Sequence, residues 1–188
     1  QTEAITLGDR IGVMKDGKIQ QLGTYNEITA HPVSAFVASF LGLPPMNLLH
    51  GWQVAPEGTL VSEMGRVRVP VRFRPLLAPE PGVILGFRSS DASLDLEGLG
   101  SDGGLVIPAE VLNAEPHFAR HYQLVNVQAG ELIFGVQMPL DVVINSGWRV
   151  DVIIPEGVVY LFDEESDARI MAEEESASPV AGQVGTTT

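Results

Sequence analysis

The sequence predicts a mainly β protein with a small α/β segment at its N-terminus. Three observations lead there. From Leu48 onward, short runs of alternating apolar and polar residues recur between Gly and Pro turns, the pattern of a small antiparallel sandwich or barrel. Ahead of them, residues 22–49 read as a helix, a break and a second helix. Ahead of both, a hairpin turns at Asp16-Gly17.

In chain order, residues 1–8 look like a short helix closing at Gly8. Ile11 and Val13 alternate with Gly12 and Met14, and Ile19 and Leu22 continue on the return strand. With few strands to cover it, this hairpin is expected to expose Ile11, Val13 and Ile19. Thr24 with Glu27 three residues on has capping-box spacing, and Pro32 ends the helix they start. Ser34 starts another, in which Val33, Phe36, Val37, Phe40 and Leu41 form one apolar stripe. Gly42 is placed as a C-terminal cap, and Pro44-Pro45 stops the helix.

The β region follows. Val67, Val69, Val71 and Phe73 alternate with arginines, and Gly82 to Arg88 is a short strand. Leu105 to Asn113 is a longer one. Tyr122–Val127 and Leu132–Met138 pair around Ala129-Gly130, with Leu132, Phe134, Val136 and Met138 on one face. Val150, Val152 and Ile154 alternate in the next strand, and Val158, Tyr160 and Phe162 in the last. Residues 163–188 carry seven acidic groups against one arginine and end in small polar residues, too few apolar groups to offset ordering entropy.

The 188 residues hold no cysteine, and their net charge is −13. Disulfides and thiolate metal sites are excluded, and nucleic acid is disfavoured as a partner because phosphate binding needs a basic surface. No signal-peptide pattern opens the chain. No run approaches the ~18 apolar residues of a membrane-spanning helix, so a soluble protein is expected, and the lack of cysteine fits a cytoplasmic one without requiring it.

Gly23-Thr24, Glu27, Pro32, Phe36-Val37-Ala38, Phe40, Gly42, Pro45-Met46-Asn47 and Leu49 together resemble a segment of the sugar-importing ABC ATPases of the maltose and glycerol-3-phosphate type. In that family the segment joins the nucleotide-binding domain to the regulatory domain. Gln1, Glu3, Ala4, Thr6, Leu7, Asp9, Arg10, Ile11, Met14 and Gly17 are similar to the stretch after the family's switch histidine, which would lie two residues before Gln1. GFRSSD at 86–91 resembles a strand end reading Gly-Ile-Arg-Pro-Glu-Asp/His, and VVYLFDEESDARI at 158–170 resembles the closing strand. Ser89-Ser90 in place of Pro-Glu, and EPHFARH at 115–121, depart from the pattern in what read as loops.

The resemblance implies residues 1–43 as the end of a nucleotide-binding domain and 44–165 as a transport-associated, OB-like β-barrel regulatory domain. Residues 166–188 remain as an acidic tail. It implies a homodimer, membrane permease partners for the intact parent on the inner face of the plasma membrane, and ATP with magnesium as the parent's cofactors. It marks Gly86, Arg88, Phe162 and Asp163 as structural motif positions. No G-x-x-x-x-G-K-[ST] loop occurs in these residues, so the chain itself is expected to carry no catalytic residue, cofactor or metal and not to hydrolyse ATP.

Other constellations each have a plainer reading beside the functional one. Arg66, Arg68, Arg72 and Arg74 share one strand face, as an anion- or partner-docking stripe would, or as a solvated edge strand with Pro70 would. The stripe is the one feature that serves an alternative, a free-standing β-barrel binding an oxyanion or a sugar. Gly98, Gly100 and Gly103 have G-x-G-x-x-G spacing but precede a strand-like run, so a loop is expected. His117 and His121 lack further ligands for a metal.

Overall fold

The computed structural model describes residues 8–55, 59–63, 65–68, 82–98 and 104–171. A hairpin, β1 (Ile11–Lys15) and β2 (Lys18–Gly23), leads into helices α1 (Tyr25–Ala30) and α2 (Ala35–Phe40). Two antiparallel sheets follow. One has six strands: β3 (Asn47–Ala55), β4 (Thr59–Ser62), β5 (Gly65–Arg68), β6 (Gly82–Phe87), β12 (Tyr160–Asp163) and β13 (Arg169–Ile170), in the order β13-β12-β6-β3-β4-β5. The other has five: β7 (Ser93–Asp95), β8 (Leu105–His117), β9 (Tyr122–Ala129), β10 (Leu132–Pro139) and β11 (Arg149–Ile154), in the order β10-β9-β8-β11-β7. The mainly β, antiparallel class is thus as the sequence predicts.

The sheets share one core. Leu49, Trp52, Leu85 and Leu161 from the six-stranded sheet meet Val111, Val127, Val136 and Val152 from the other. Phe87 and Phe134 cross edge-to-face at 5.6 Å between the sheets, a favoured aromatic geometry. The β9–β10 hairpin turns on Gly130-Glu131, pairing Ala129 with Leu132. Buried Gln123 is satisfied by the carbonyls of Pro139 and Val142 at 2.7 and 2.6 Å, as a buried amide requires.

Several expectations are corrected. Val13 is buried, not exposed: it packs with Ile28, Val37 and Leu41, while Ile19 stays at the surface. The α2 stripe is displaced too. Val33 and Phe40 are substantially exposed, and the helix buries two faces instead of one. Ala35 and Ala38 point into a second cluster with Met46, Ile84 and Phe162, while Val37 and Leu41 join the Val13 cluster. Around β12 it is Val159, just before the strand, and Leu161 within it that face the main core, and Val158 sits in a 3₁₀ turn. Phe162 is buried on the opposite face.

Glu115 to His117, read as loop, extend β8. The β domain also runs past 165, since Arg169 and Ile170 pair with Phe162 and Leu161. Most of residues 1–8 and of the acidic tail, Val69 to Arg74, and Gly100 and Gly103 lie outside the described residues.

Candidate functional site

The candidate site is the joint where α1 and α2 meet the six-stranded sheet. Its first part is local. Thr24 Oγ1 accepts from the Glu27 amide at 3.2 Å, and Glu27 returns a carboxylate oxygen to the Thr24 amide at 2.8 Å, completing the capping box. These bonds, the Thr24 amide foremost, hold the Glu27 carboxyl below its ordinary value. Ser34 caps α2 through the Val37 amide at 3.2 Å.

The second part comes from far along the chain. Two amides at the start of α2 need acceptors, and Asp167 supplies both. Its carbonyl accepts from Ala35 at 3.0 Å and its Oδ2 from Phe36 at 3.1 Å. The Arg169 amide donates to the Val33 carbonyl at 2.9 Å, and Ser34 bridges Ala168. Tyr160 Oη donates to the Ala30 carbonyl at 3.2 Å, and the Arg169 guanidinium lies 4.8 Å over the Tyr160 ring. The linker helices are therefore sewn to the end of the β domain, not hung from it.

Of the family-motif residues, three line this joint directly. Phe162 is fully buried in the cluster beneath α2. Gly86 pairs with Tyr160 and Leu48, and a β-carbon there would lie 2.9 Å from both the Met46 sulfur and the Phe162 ring. Arg88 Nη2 donates to the Thr29 carbonyl at the end of α1. Asp163 shapes the turn that carries Asp167: its Oδ1 accepts from the Ser166 hydroxyl and amide, each at 2.7 Å, and its backbone pairs with Asp167 and Ala168.

Those contacts, the Ser166 hydroxyl first, hold the Asp163 carboxyl below its ordinary 3.8. A carboxyl depressed on folding adds stability that is complete above its unfolded value and is lost as pH falls through the lower folded value. Ser166→Ala should return the Asp163 titration toward 3.8, and should make the Ala35 and Phe36 amides less protected against hydrogen exchange. An NMR pH titration of the Asp163 carboxyl checks this, an unmoved midpoint counting against it.

The arginine stripe is only partly placed. Arg66 and Arg68 sit on β5, the outer strand of its sheet, opposite Val61 and Thr59. Arg72 and Arg74 lie outside the described residues. His117 stacks on Tyr122 at 4.9 Å and His121 follows a 3₁₀ turn with φ of 59°. Among the described residues no group of three or more potential ligands forms a metal site. Sequence reasoning missed Asp167, because an acidic run reads as solvated tail. The available signal was Asp163-x-x-Ser166, the spacing of a side-chain-closed turn.

No family model matches the sequence. Curated relatives do. An uncharacterised ABC transporter ATP-binding protein, y4oS, of Sinorhizobium fredii is 32% identical over 170 residues, 90% of this chain and 43% of that protein. The sn-glycerol-3-phosphate import ATP-binding protein UgpC of a Jannaschia species is 36% identical over 171 residues, covering 90% and 44%. The xylose/arabinose import ATP-binding protein XacK of Haloferax volcanii is 32% identical over 169 residues, covering 88% and 43%. The chain thus spans less than half the length of these relatives. Among solved structures, the cytoplasmic molybdate-binding protein ModG, in a molybdate-bound form, aligns with a TM-score of 0.49 at 16% identity, over 61% of this chain and 94% of that one. Over about nine-tenths of its length the chain is thus similar in sequence to part of the ATP-binding subunits of sugar and glycerol-3-phosphate ABC importers.

Proposed function

We propose that this chain is the regulatory and dimerising portion of an ATP-binding subunit that powers import of a sugar, polyol or glycerol phosphate. The similarity to importer subunits across nine-tenths of the chain carries the reading. In this reading the rest of the subunit binds ATP and magnesium, and membrane permease subunits are the partners on the cytoplasmic face. The chain itself pairs with a second copy. The sewn joint suits that role, because a regulatory domain can pass force to an ATPase domain only through a connection that does not swivel. Among the described residues no helix is long and apolar enough to cross a membrane.

Sedimentation of the whole chain at micromolar concentration tests the pairing. A symmetric dimer of the 20.2 kDa chain, little weakened by salt, is expected, since apolar interface cores are insensitive to screening. A clean monomer would remove the dimerising role. Trimming the hairpin is a poor version of this test, because it uncovers Ile28, Val37 and Leu41, which Val13 covers. Reading the coding frame upstream of Gln1 tests parentage separately: a phosphate loop there supports it, and its absence counts against it.

A further inference from the structure

Arg88 is half-buried at the joint and makes one hydrogen bond, to the Thr29 carbonyl. Among the described residues no carboxylate comes within ion-pair distance of it, in a chain with 24 acidic residues. A guanidinium carries five N–H donors in a fixed fork. Most of that fork has no acceptor among the described residues, and a carbonyl at a helix end offers only partial negative charge. Removing a cation from water without an anionic partner is costly.

Beside Arg88 lies a cleft of about 220 Å³. Arg88, Ser89, Ser90, Tyr25, Thr29 and Gln137 line it, and among the described residues no carboxylate does. Ser89 is 3% exposed, its carbonyl held by the Gln137 amide at 2.8 Å. Asp91 Oδ1 accepts from Ser90 Oγ at 3.2 Å. Gly42 holds one wall: φ is +126°, and a β-carbon there would stand 2.9 Å from Arg88 Nη1.

We infer that this cleft binds a phosphate-sized oxyanion, through the unspent face of the Arg88 guanidinium and the Ser89 hydroxyl. Its volume falls below the ~300 Å³ at which pockets for larger organic ligands begin, so the occupant is a small anion or a small phosphate monoester. Arginine pairs with such groups in two parallel N–H···O bonds. The anion would sit between α1, the Gly42 turn and the strand end after β6, and so would brace the joint. The inference does not depend on the importer reading, because it concerns an ion binding to this chain alone.

The test is an NMR titration of the whole chain at low ionic strength, in parallel with inorganic phosphate, sulfate and methyl phosphate, with chloride as control. Saturable shifts of the Gly42, Ser89 and Ser90 amides are expected for the oxyanions and not for chloride. Tighter binding of methyl phosphate than of inorganic phosphate assigns the site to a monoester, and the reverse order to the free ion. Arg88→Gln should weaken binding roughly tenfold or more. Since Arg88 also supports α1, Ser90→Glu provides a second variant at an exposed position. It places a carboxylate beside the guanidinium and should abolish the shifts while leaving the fold's spectrum intact. Shifts that never saturate, or that persist in a folded Ser90→Glu protein, would overturn the site.

Discussion

Phe162→Ala is expected to lower unfolding free energy by about 3–5 kcal/mol, the usual cost of emptying a buried aromatic site. Phe162 is completely buried, and its ring is the largest member of the cluster formed with Ala35, Ala38, Met46 and Ile84. The alanines cannot reach into the space it leaves, and Ile84 is fixed on a paired strand. Domains of this kind are stable by only about 5–15 kcal/mol, so the loss is a large share of the whole. Its location makes a second outcome specific. The cluster is separate from the main inter-sheet core, so amides of α2 should lose exchange protection while those of β8 and β9 keep most of theirs. Urea unfolding together with hydrogen exchange checks both. A cost below ~1 kcal/mol would mean that α2 is not held by this ring, and uniform loss of protection would mean that the two cores are one.

The strands that were legible in the sequence are those whose alternation is unbroken. β11 buries Val150, Val152 and Ile154 and shows Arg149 and Asp151, so period two is written plainly. β10 is the same, with Phe134 and Val136 at its centre. β3 was not found as a strand, and the reason is physical. Its buried residues Leu49 and Trp52 are three apart, because the pairing with β6 slips at His50-Gly51, where Gly51 has φ of +80°. A bulge of that kind resets the phase of alternation, and no period-two template survives it. β8 slips between Val111 and Asn113, which is why its outer end reads as loop in the sequence.

The joint was half legible. Caps are local, so Thr24, Glu27 and Ser34 could be read from spacing alone. The partners of α2 are not local: Asp167 lies 131 residues from Phe36. A two-faced helix also defeats a one-stripe reading, since Ala35 and Ala38 carry little hydrophobic weight yet are buried with Met46, Ile84 and Phe162. Small residues matter there because they are small, which periodicity of large apolar groups does not register.

Gly86→Ala puts that crowding to a direct test. On a regular strand an alanine ordinarily costs nothing, and here it should destabilise by about 1–3 kcal/mol, the penalty of overpacking. The added methyl would meet the Met46 sulfur and the Phe162 ring at 2.9 Å each, with Tyr160 Cβ at 3.3 Å. Met46 can swing its thioether aside, but the Phe162 ring is enclosed on all sides and Tyr160 is held by β6 pairing. The clash therefore falls on the ring. If so, the two substitutions must be coupled: once Phe162 is alanine, the space that the Gly86 methyl needs is already open. The double variant should be more stable than the sum of the single losses predicts, by about 0.5–3 kcal/mol, the range seen for residues in contact. Four urea curves close the cycle. Strict additivity would show that Gly86 is required by the strand itself and not by the aromatic ring that seats α2 on the sheet.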